Sequence, residues 1–250
     1  MRRFAVDRER IHDDRVTFDR AETRHLARVL RLRPGDIVIA TDGRGNDYTV
    51  RLDALGAGAV GTILGVTHGA PESPIPITLI QGIPKSDKMD TIVRAATELG
   101  VARIVPAVTA RTVTLGEGGR PHQRAVRWQR VAREAAKQCG RAVVPDIAAP
   151  VPLAEALRGA ASAPLRICLY EGTRRPLGRV LTAAGAPTSI AILIGAEGGL
   201  DPKEIGQVEE HRWTVVGFGP RILRTETAGP ALLAVLQARF GDLLEERSVS

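Results

Sequence analysis

Ile77-Thr78-Leu79-Ile80-Gln81-Gly82 and Arg103-Ile104-Val105-Pro106-Ala107-Val108, two short apolar runs with a helical stretch between them, decide the class of fold. The stretch between them, 86–99, reads as a helix, and Gly100 follows Leu99 where a helix stop belongs. Further apolar runs at 165–170, 189–194 and 214–218, separated by helical stretches, continue the alternation. Strand and helix in turn imply an α/β unit, a parallel sheet covered by helices on both faces. The last helix, expected over 227–244, is rich in Ala and Leu and apolar on more than one face. Its Leu232, Leu233, Val235 and Leu236 are expected to be buried or to lie at a subunit interface.

Upstream of this alternation the pattern changes. Runs at 36–41, 46–55 and 60–68 alternate apolar and polar residues in part and read as strands, with Asp42-Gly43-Arg44-Gly45 as a turn. Only 22–32 reads as helical there. Residues 69–76 hold three prolines, which remove donors and disfavour helix before them. The chain is therefore read as a β domain over 1–70, a Pro-rich linker over 71–76 and an α/β domain over 77–250. For 250 residues, one to two domains is the ordinary expectation.

Composition narrows the classes further. A hydrophobic content of 44% with 25% charged residues fits a globular chain rather than a disordered or fibrous one. The apolar stretch at the start is broken by Asp7, Arg8 and Glu9, unlike a signal peptide, and 190–194 is too short to span a bilayer. Cys139 and Cys168 form no C-x-x-C pair, so a reducing cytoplasm is expected. The net charge is +7, and only four of the 35 basic residues are lysines, which suits phosphate recognition by guanidinium groups. Aromatic residues make up 3% of the chain, too few for a base-stacking sheet.

Two glycine clusters differ in their meaning. Gly56-Ala57-Gly58-Ala59-Val60-Gly61 matches G-x-G-x-x-G, but a strand-like run follows it, whereas a dinucleotide fingerprint must open a helix, so it is read as a turn. Ile194-Gly195-Ala196-Glu197-Gly198-Gly199 leaves the carboxyl end of an apolar strand, where ligands bind in open α/β sheets. Leu169-Tyr170-Glu171-Gly172 and 217–228 leave strand ends in the same way, the latter placing Thr225 or Thr227 at a helix N-cap. Three such loops can surround one small ligand through backbone and apolar contacts rather than as an anion cradle. The five histidines make no H-E-x-x-H pair, and no metal site is expected.

The segment 121–141 has a basic face of its own. At 100° per residue Arg127, Arg130, Arg133, Lys137 and Arg141 share one side of a helix, with Val131, Ala132, Ala135, Ala136 and Cys139 opposite. Together with Arg120 and Arg124 these make seven cations against one acid, Glu134, so the face is read as touching nucleic acid, with a merely solvated face as the alternative. Residues 1–35 hold ten arginines against six acids, a second basic zone.

Read in order, Pro84-Lys85-Ser86-Asp87-Lys88-Met89-Asp90, Ala96-Thr97-Glu98-Leu99-Gly100-Val101, Arg133-Glu134-Ala135-Ala136-Lys137-Gln138-Cys139-Gly140-Arg141, the 194–199 loop and Arg221-Ile222-Leu223-Arg224-Thr225-Glu226-Thr227-Ala228 resemble the motifs of the RsmE family. These are SPOUT-class methyltransferases acting on N3 of a uridine in small-subunit ribosomal RNA. The resemblance covers nearly the whole chain and departs from the family at Ala196, where proline is common, and at Pro230 near the start of the last helix.

The resemblance implies a PUA-like RNA-binding first domain, a trefoil-knotted parallel sheet, a homodimer and S-adenosylmethionine as cofactor. Its pocket would comprise Leu169, Tyr170, Glu171, Ile194, Gly195, Glu197, Gly198, Gly199, Gly219, Ile222, Leu223, Arg224, Thr225, Thr227 and Ala228. RNA would meet Arg2, Arg3, Arg24, Arg28, Lys85, Arg127, Arg130, Arg133 and Lys137. N3 attacks only once deprotonated, so an arginine near the pyrimidine oxygens should stabilise the anion. Arg224 is the first candidate and Arg141 the second, with Glu226 or Glu197 to take the proton. The alternatives are another SPOUT enzyme, modifying a ribose or base of transfer or ribosomal RNA, and a non-catalytic RNA-binding protein.

Overall fold

Alternation and one tight turn build the amino-terminal sheet. Its strands are β1 (Arg3–Ala5), β2 (Ile11–His12), β3 (Arg15–Thr17), β4 (Ile37–Thr41), β5 (Asn46–Leu55) and β6 (Ala59–His68), in the order β1-β4-β5-β6-β3-β2. Every pairing is antiparallel except β1 with β4. The Asp42 carboxylate fixes the β4–β5 turn by accepting the N–H groups of Arg44 and Asn46 at 2.8 and 3.2 Å. Two irregularities of register between β5 and β6 bend those long strands. Phe4, Phe18, Leu26, Val38, Val50 and Leu52 form the sheet's buried core, with Phe4 edge-on to Phe18 at 6.1 Å.

The helix expected over 22–32 is shorter and less regular. It begins as α1 (Arg20–Arg24), whose N-cap Asp19 accepts the Glu22 N–H at 2.7 Å, and widens into a π-helical turn at His25–Val29. Arg31, at φ 53°, closes the turn, and Pro34 disfavours helix at the residue before it. Strands β1, β2 and β3 were not legible in the sequence because two or three residues carry no period.

The second sheet is parallel throughout. Its strands are β7 (Ile77–Gly82), β8 (Arg103–Val108), β9 (Asp146–Ile147), β10 (Val151–Pro152), β11 (Leu165–Leu169), β12 (Ile190–Ile194) and β13 (Thr214–Val216). Their order is β10-β8-β7-β12-β11-β13, with β9 also paired to β8, so the chain reaches β12 only after laying down β11 to its far side. The helices are α2 (Lys88–Glu98), α3 (Pro121–Cys139), α4 (Leu153–Gly159), α5 (Leu177–Ala183), α6 (Pro202–Glu210) and α7 (Thr225–Phe240). Ile80, Val105, Cys168, Ala191 and Leu193 pack with Leu157 of α4, Val208 of α6 and Trp213. On the other face Gly229 of α7 lies against Leu79, which lets helix and sheet approach closely.

The chain is a computed structural model that describes residues 2–56, 58–112 and 121–245, so Arg120 and Ala57 lie outside the described residues. It divides into one unit of Met1–Glu72 with Arg133–Val144 and another of Ser73–Ala132 with Pro145–Ser250, the boundary falling inside α3. Three expectations for the helices change. In α7, Leu232, Leu233 and Leu236 are buried within the chain itself and Val235 is 36% exposed, so the helix does not by its burial demand a second subunit. Pro230 is the sixth residue of that helix rather than part of its first turn, and its missing N–H leaves the Glu226 carbonyl without the usual helical bond. In α3 the buried stripe is Ala125, Trp128, Ala132, Ala135 and Ala136, while Cys139 is exposed. Among the described residues no helix is long and apolar enough to cross a membrane.

Candidate functional site

Parallel strands end at one edge, and the loops leaving β11, β12 and β13 there enclose a cavity of about 490 Å³ in the second unit. It is lined by Leu169, Tyr170 and Glu171 after β11, by Ile194, Gly195, Glu197 and Gly199 after β12, and by Gly219, Ile222, Leu223, Arg224, Thr225 and Ala228 around the start of α7. Glu226 also lines it. Gly198 and Thr227, expected here from the sequence, are not among its lining residues. A side chain at Gly198 would point instead at Arg111, whose guanidinium donates to the Gly198 carbonyl.

A buried polar knot joins the end of β7 to the loop after β12 and to the start of α7. Gln81, at the end of β7 and fully buried, donates through Nε2 to the carbonyls of Gly82 and Gly195 at 2.9 and 3.3 Å and to Thr225 Oγ1 at 2.9 Å. Thr225 in turn donates to the Gly195 carbonyl at 2.6 Å. The hydroxyl expected to cap α7 is thus spent on the neighbouring loop, and Arg224 occupies the N-cap position without a side-chain cap bond. Gly82 is required by proximity, since a Cβ there would sit 2.6 Å from the Ala196 nitrogen. Gly199 is required by conformation: its φ is +71°, and a Cβ would lie 2.8 Å from Glu171 Oε1.

Electrostatically the rim is organised by Lys88. As the first residue of α2 it stands where the helix dipole disfavours a cation, and two pocket carboxylates offset that. Its ammonium lies 3.2 Å from Glu197 and 3.4 Å from Glu226. The Lys85 N–H also donates to both Glu197 oxygens, at 3.1 and 3.2 Å, from a turn in which Ser86 adopts φ 58°. Hydrogen bonding to Glu197 holds Lys88 above its ordinary pKa. Burial pushes Glu197 up, but the N–H groups of Glu197 and Lys85 and the Lys88 ammonium outweigh it and hold the carboxyl below its ordinary range. The Glu226 oxygen that faces Lys88 is buried, and that 3.4 Å contact is the one ion pair of Glu226 among the described residues. Arg224 is exposed at the mouth, in no ion pair among the described residues.

The sequence missed Gln81 and Lys88 as members of this site. A polar residue ending an apolar strand and a cation opening a helix are the local signals that pointed to them.

Elsewhere part of the expected basic surface is neutralised. Arg127 pairs with Asp90 at 2.6 Å, Arg133 with Asp7 at 2.9 Å, and Lys137 with Glu22 and Glu134 at 2.8 and 2.9 Å. Arg3 pairs with Asp47 at 2.6 Å. Arg141, the second catalytic candidate, is engaged by Glu72 through two of its nitrogens and does not line the cavity. Arg2, Arg24, Arg28, Lys85 and Arg130 are exposed. The periodicity of α3 is real, but a helical wheel cannot see the carboxylates that other segments bring to it.

A parallel sheet with one pocket at its strand-end loops, preceded by a β-rich unit, defines a SPOUT-like α/β methyltransferase architecture. Residues 71–237 match the RNA methyltransferase domain family and residues 18–60 the RNA methyltransferase PUA domain family. The chain belongs to the RsmE family, whose curated members are named ribosomal RNA small subunit methyltransferase E. It is 33% identical to the Synechocystis member over 94% of this chain and 77% of that one. With the Bacillus subtilis member it shares 29% over 83% of each. Among solved structures it resembles the ribosomal RNA small subunit methyltransferase E of Neisseria gonorrhoeae bound to S-adenosyl methionine, with a TM-score of 0.85, 33% identity and coverage of 97% and 99%. It also resembles a Legionella pneumophila methyltransferase in complex with its cofactor SAM, with a TM-score of 0.88, 29% identity and coverage of 96% and 98%.

Proposed function

We propose that this chain transfers the methyl group of S-adenosylmethionine to N3 of a uridine in small-subunit ribosomal RNA. The observation that carries the reading is the cavity walled by the three strand-end loops, in a chain that aligns almost end to end with a relative bound to that cofactor. The residues fit such a molecule. About 490 Å³ lies within the range for a ligand of this size, and the wall combines backbone and apolar surface with the charged side chains of Lys88, Glu171, Glu197, Arg224 and Glu226. Leu169, Ile194 and Leu223 would hold the apolar parts, with the Glu171 carboxylate available to a cationic group.

When bound, the cofactor supplies an electrophilic methyl group on a sulfonium. The chain's own residues then have three tasks. The loops at 194–199 and 217–224 hold the methyl donor and exclude water. Arg224, unpaired at the mouth and beside the positive end of α7, stabilises the uracil anion as N3 loses its proton. Glu226 is a better proton acceptor than Glu197, because Glu197 is held by the Lys85 N–H on both oxygens and by Lys88 at 3.2 Å, whereas Glu226 has only the longer 3.4 Å contact to Lys88. Glu197 acts instead as an orienting group for the rim. Arg141 is engaged by Glu72 and stays second to Arg224.

The first unit would contact the RNA, and the enzyme would work in the cytoplasm as a homodimer. Ile222, 84% exposed on a pocket loop, supports a second copy or the substrate covering that loop. Mass spectrometry of small-subunit ribosomal RNA from cells lacking the gene tests the reading. A missing uracil-ring methyl is expected, and a full complement of methylated uridines would overturn it.

A further inference from the structure

We infer that a second groove, outside the cofactor cavity, binds the phosphodiester backbone of the substrate RNA. It is lined by Arg174, Arg175, Pro176, Arg179, Val180 and Thr214, together with the apolar Leu165, Ala183 and Ala184, and has a volume of about 620 Å³. All three arginines are exposed, and none forms an ion pair among the described residues. This sets them apart from Arg127, Arg133 and Lys137, each of which already faces a carboxylate. A cation with a built-in counter-charge offers a phosphate little, whereas three uncompensated guanidiniums around one groove form a concentrated positive field suited to forked contacts with phosphate oxygens. No acidic residue lines the groove.

Its place in the chain names the occupant. Thr173 lines the cofactor cavity, and Arg174 and Arg175 follow it directly. Backbone bonds lock this segment to the cavity wall: Gly217 N–H donates to the Arg175 carbonyl at 2.8 Å, and Leu177 N–H to the Gly217 carbonyl at 3.2 Å. A polyanion lying over the three arginines therefore passes the edge of the cavity in which the proposed methyl transfer occurs. A free phosphate would meet only part of this extended, open surface. The inference rests on the RNA-methyltransferase reading for its substrate, but the groove's affinity for a polyphosphate strand is measurable without it.

Two measurements separate the groove from that reading. The first is binding of polyuridylate by the wild type and by the triple variant Arg174→Gln, Arg175→Gln, Arg179→Gln across a salt series. The second is methyl transfer from S-adenosylmethionine to small-subunit ribosomal RNA. Each lost single-strand contact lowers the log–log salt slope by about 0.7, so the wild type should lose about 20-fold more affinity than the variant between roughly 50 and 200 mM salt. The variant should also show a raised KM for ribosomal RNA, while calorimetry reports unchanged cofactor affinity. Arg179→Gln alone should remove about a third of the slope difference. A slope and KM identical to wild type would overturn the groove even if methyl transfer is robust. A reduced slope in a protein whose wild type transfers no methyl to ribosomal RNA would uphold the groove and defeat the functional reading.

Discussion

Replacing Thr225 with valine removes one oxygen from the knot that joins β7, the 194–199 loop and α7, and leaves shape and β-branching nearly unchanged. Two hydrogen bonds disappear, the donation to the Gly195 carbonyl at 2.6 Å and the acceptance from Gln81 at 2.9 Å. Both are buried, and Gly195 keeps only the longer bond from Gln81 at 3.3 Å. At about 0.5–1.5 kcal/mol net for each bond, the loss is about 1–3 kcal/mol. For a chain of this size each kcal/mol moves Tm by about 2–4 °C, so a fall of about 2–12 °C is expected. Because the Gly195 carbonyl is released, cofactor affinity should fall as well. Differential scanning calorimetry of the wild type, Thr225→Val and Thr225→Ser, each with and without S-adenosylmethionine, reads both effects. Serine keeps the hydroxyl and should restore most of the stability and affinity. A valine variant matching wild type in Tm and affinity would refute the claim that this knot shapes the pocket.

Three more outcomes follow from the site. Gly199→Ala, which adds strain at φ +71° and a Cβ 2.8 Å from a Glu171 oxygen, should weaken cofactor binding in titration calorimetry by about tenfold or more. Gly198→Ala meets only the Arg111 side chain and should bind nearly as wild type; the reverse order would displace the pocket. Arg224→Ala should lower kcat by about 10²–10³ while RNA affinity stays nearly intact, since its role arises only as the uracil becomes anionic; normal turnover would remove it from the mechanism. Glu197 titrates lower in the fold than its ordinary 4.5, so its stabilisation is present above that value and fades as pH falls through the depressed one. Lys88 titrates above its ordinary 10.5, so its contribution is present below that value and is lost as pH rises through the raised one. The difference in Tm between wild type and Glu197→Gln should thus be constant near neutrality and close below pH 4.5, and a difference unchanged at pH 3 would contradict the pairing.

In the second unit the strands most legible in the sequence are the ones of five or six mostly apolar residues, whereas β9 and β10, of two residues each, carry no such signal. β7, β8 and β12 fall within a residue of the expected runs, and the three loops were visible as glycine-bearing exits from strands. Sheet order was not legible, because nothing local says that β12 inserts between β7 and β11. Residue by residue, the site depended on what side chains meet. Thr225 reads as a cap in sequence, yet its hydroxyl serves Gly195 across 30 residues. Gly198 and Gly199 look equivalent, but only the second lines the cavity. Which cations of the basic face of α3 are paired was hidden for the same reason: Asp90, Asp7 and Glu22 are remote in sequence from the cations they neutralise.

The central claim is tested most directly by incubating the purified chain with S-adenosylmethionine and small-subunit ribosomal RNA or its assembly intermediates, then digesting the RNA to nucleosides for tandem mass spectrometry. One new methyl group on the uracil ring at N3 is expected, reduced sharply by Arg224→Ala. A methyl group on ribose or on another base, or transfer to transfer RNA alone, would contradict the account.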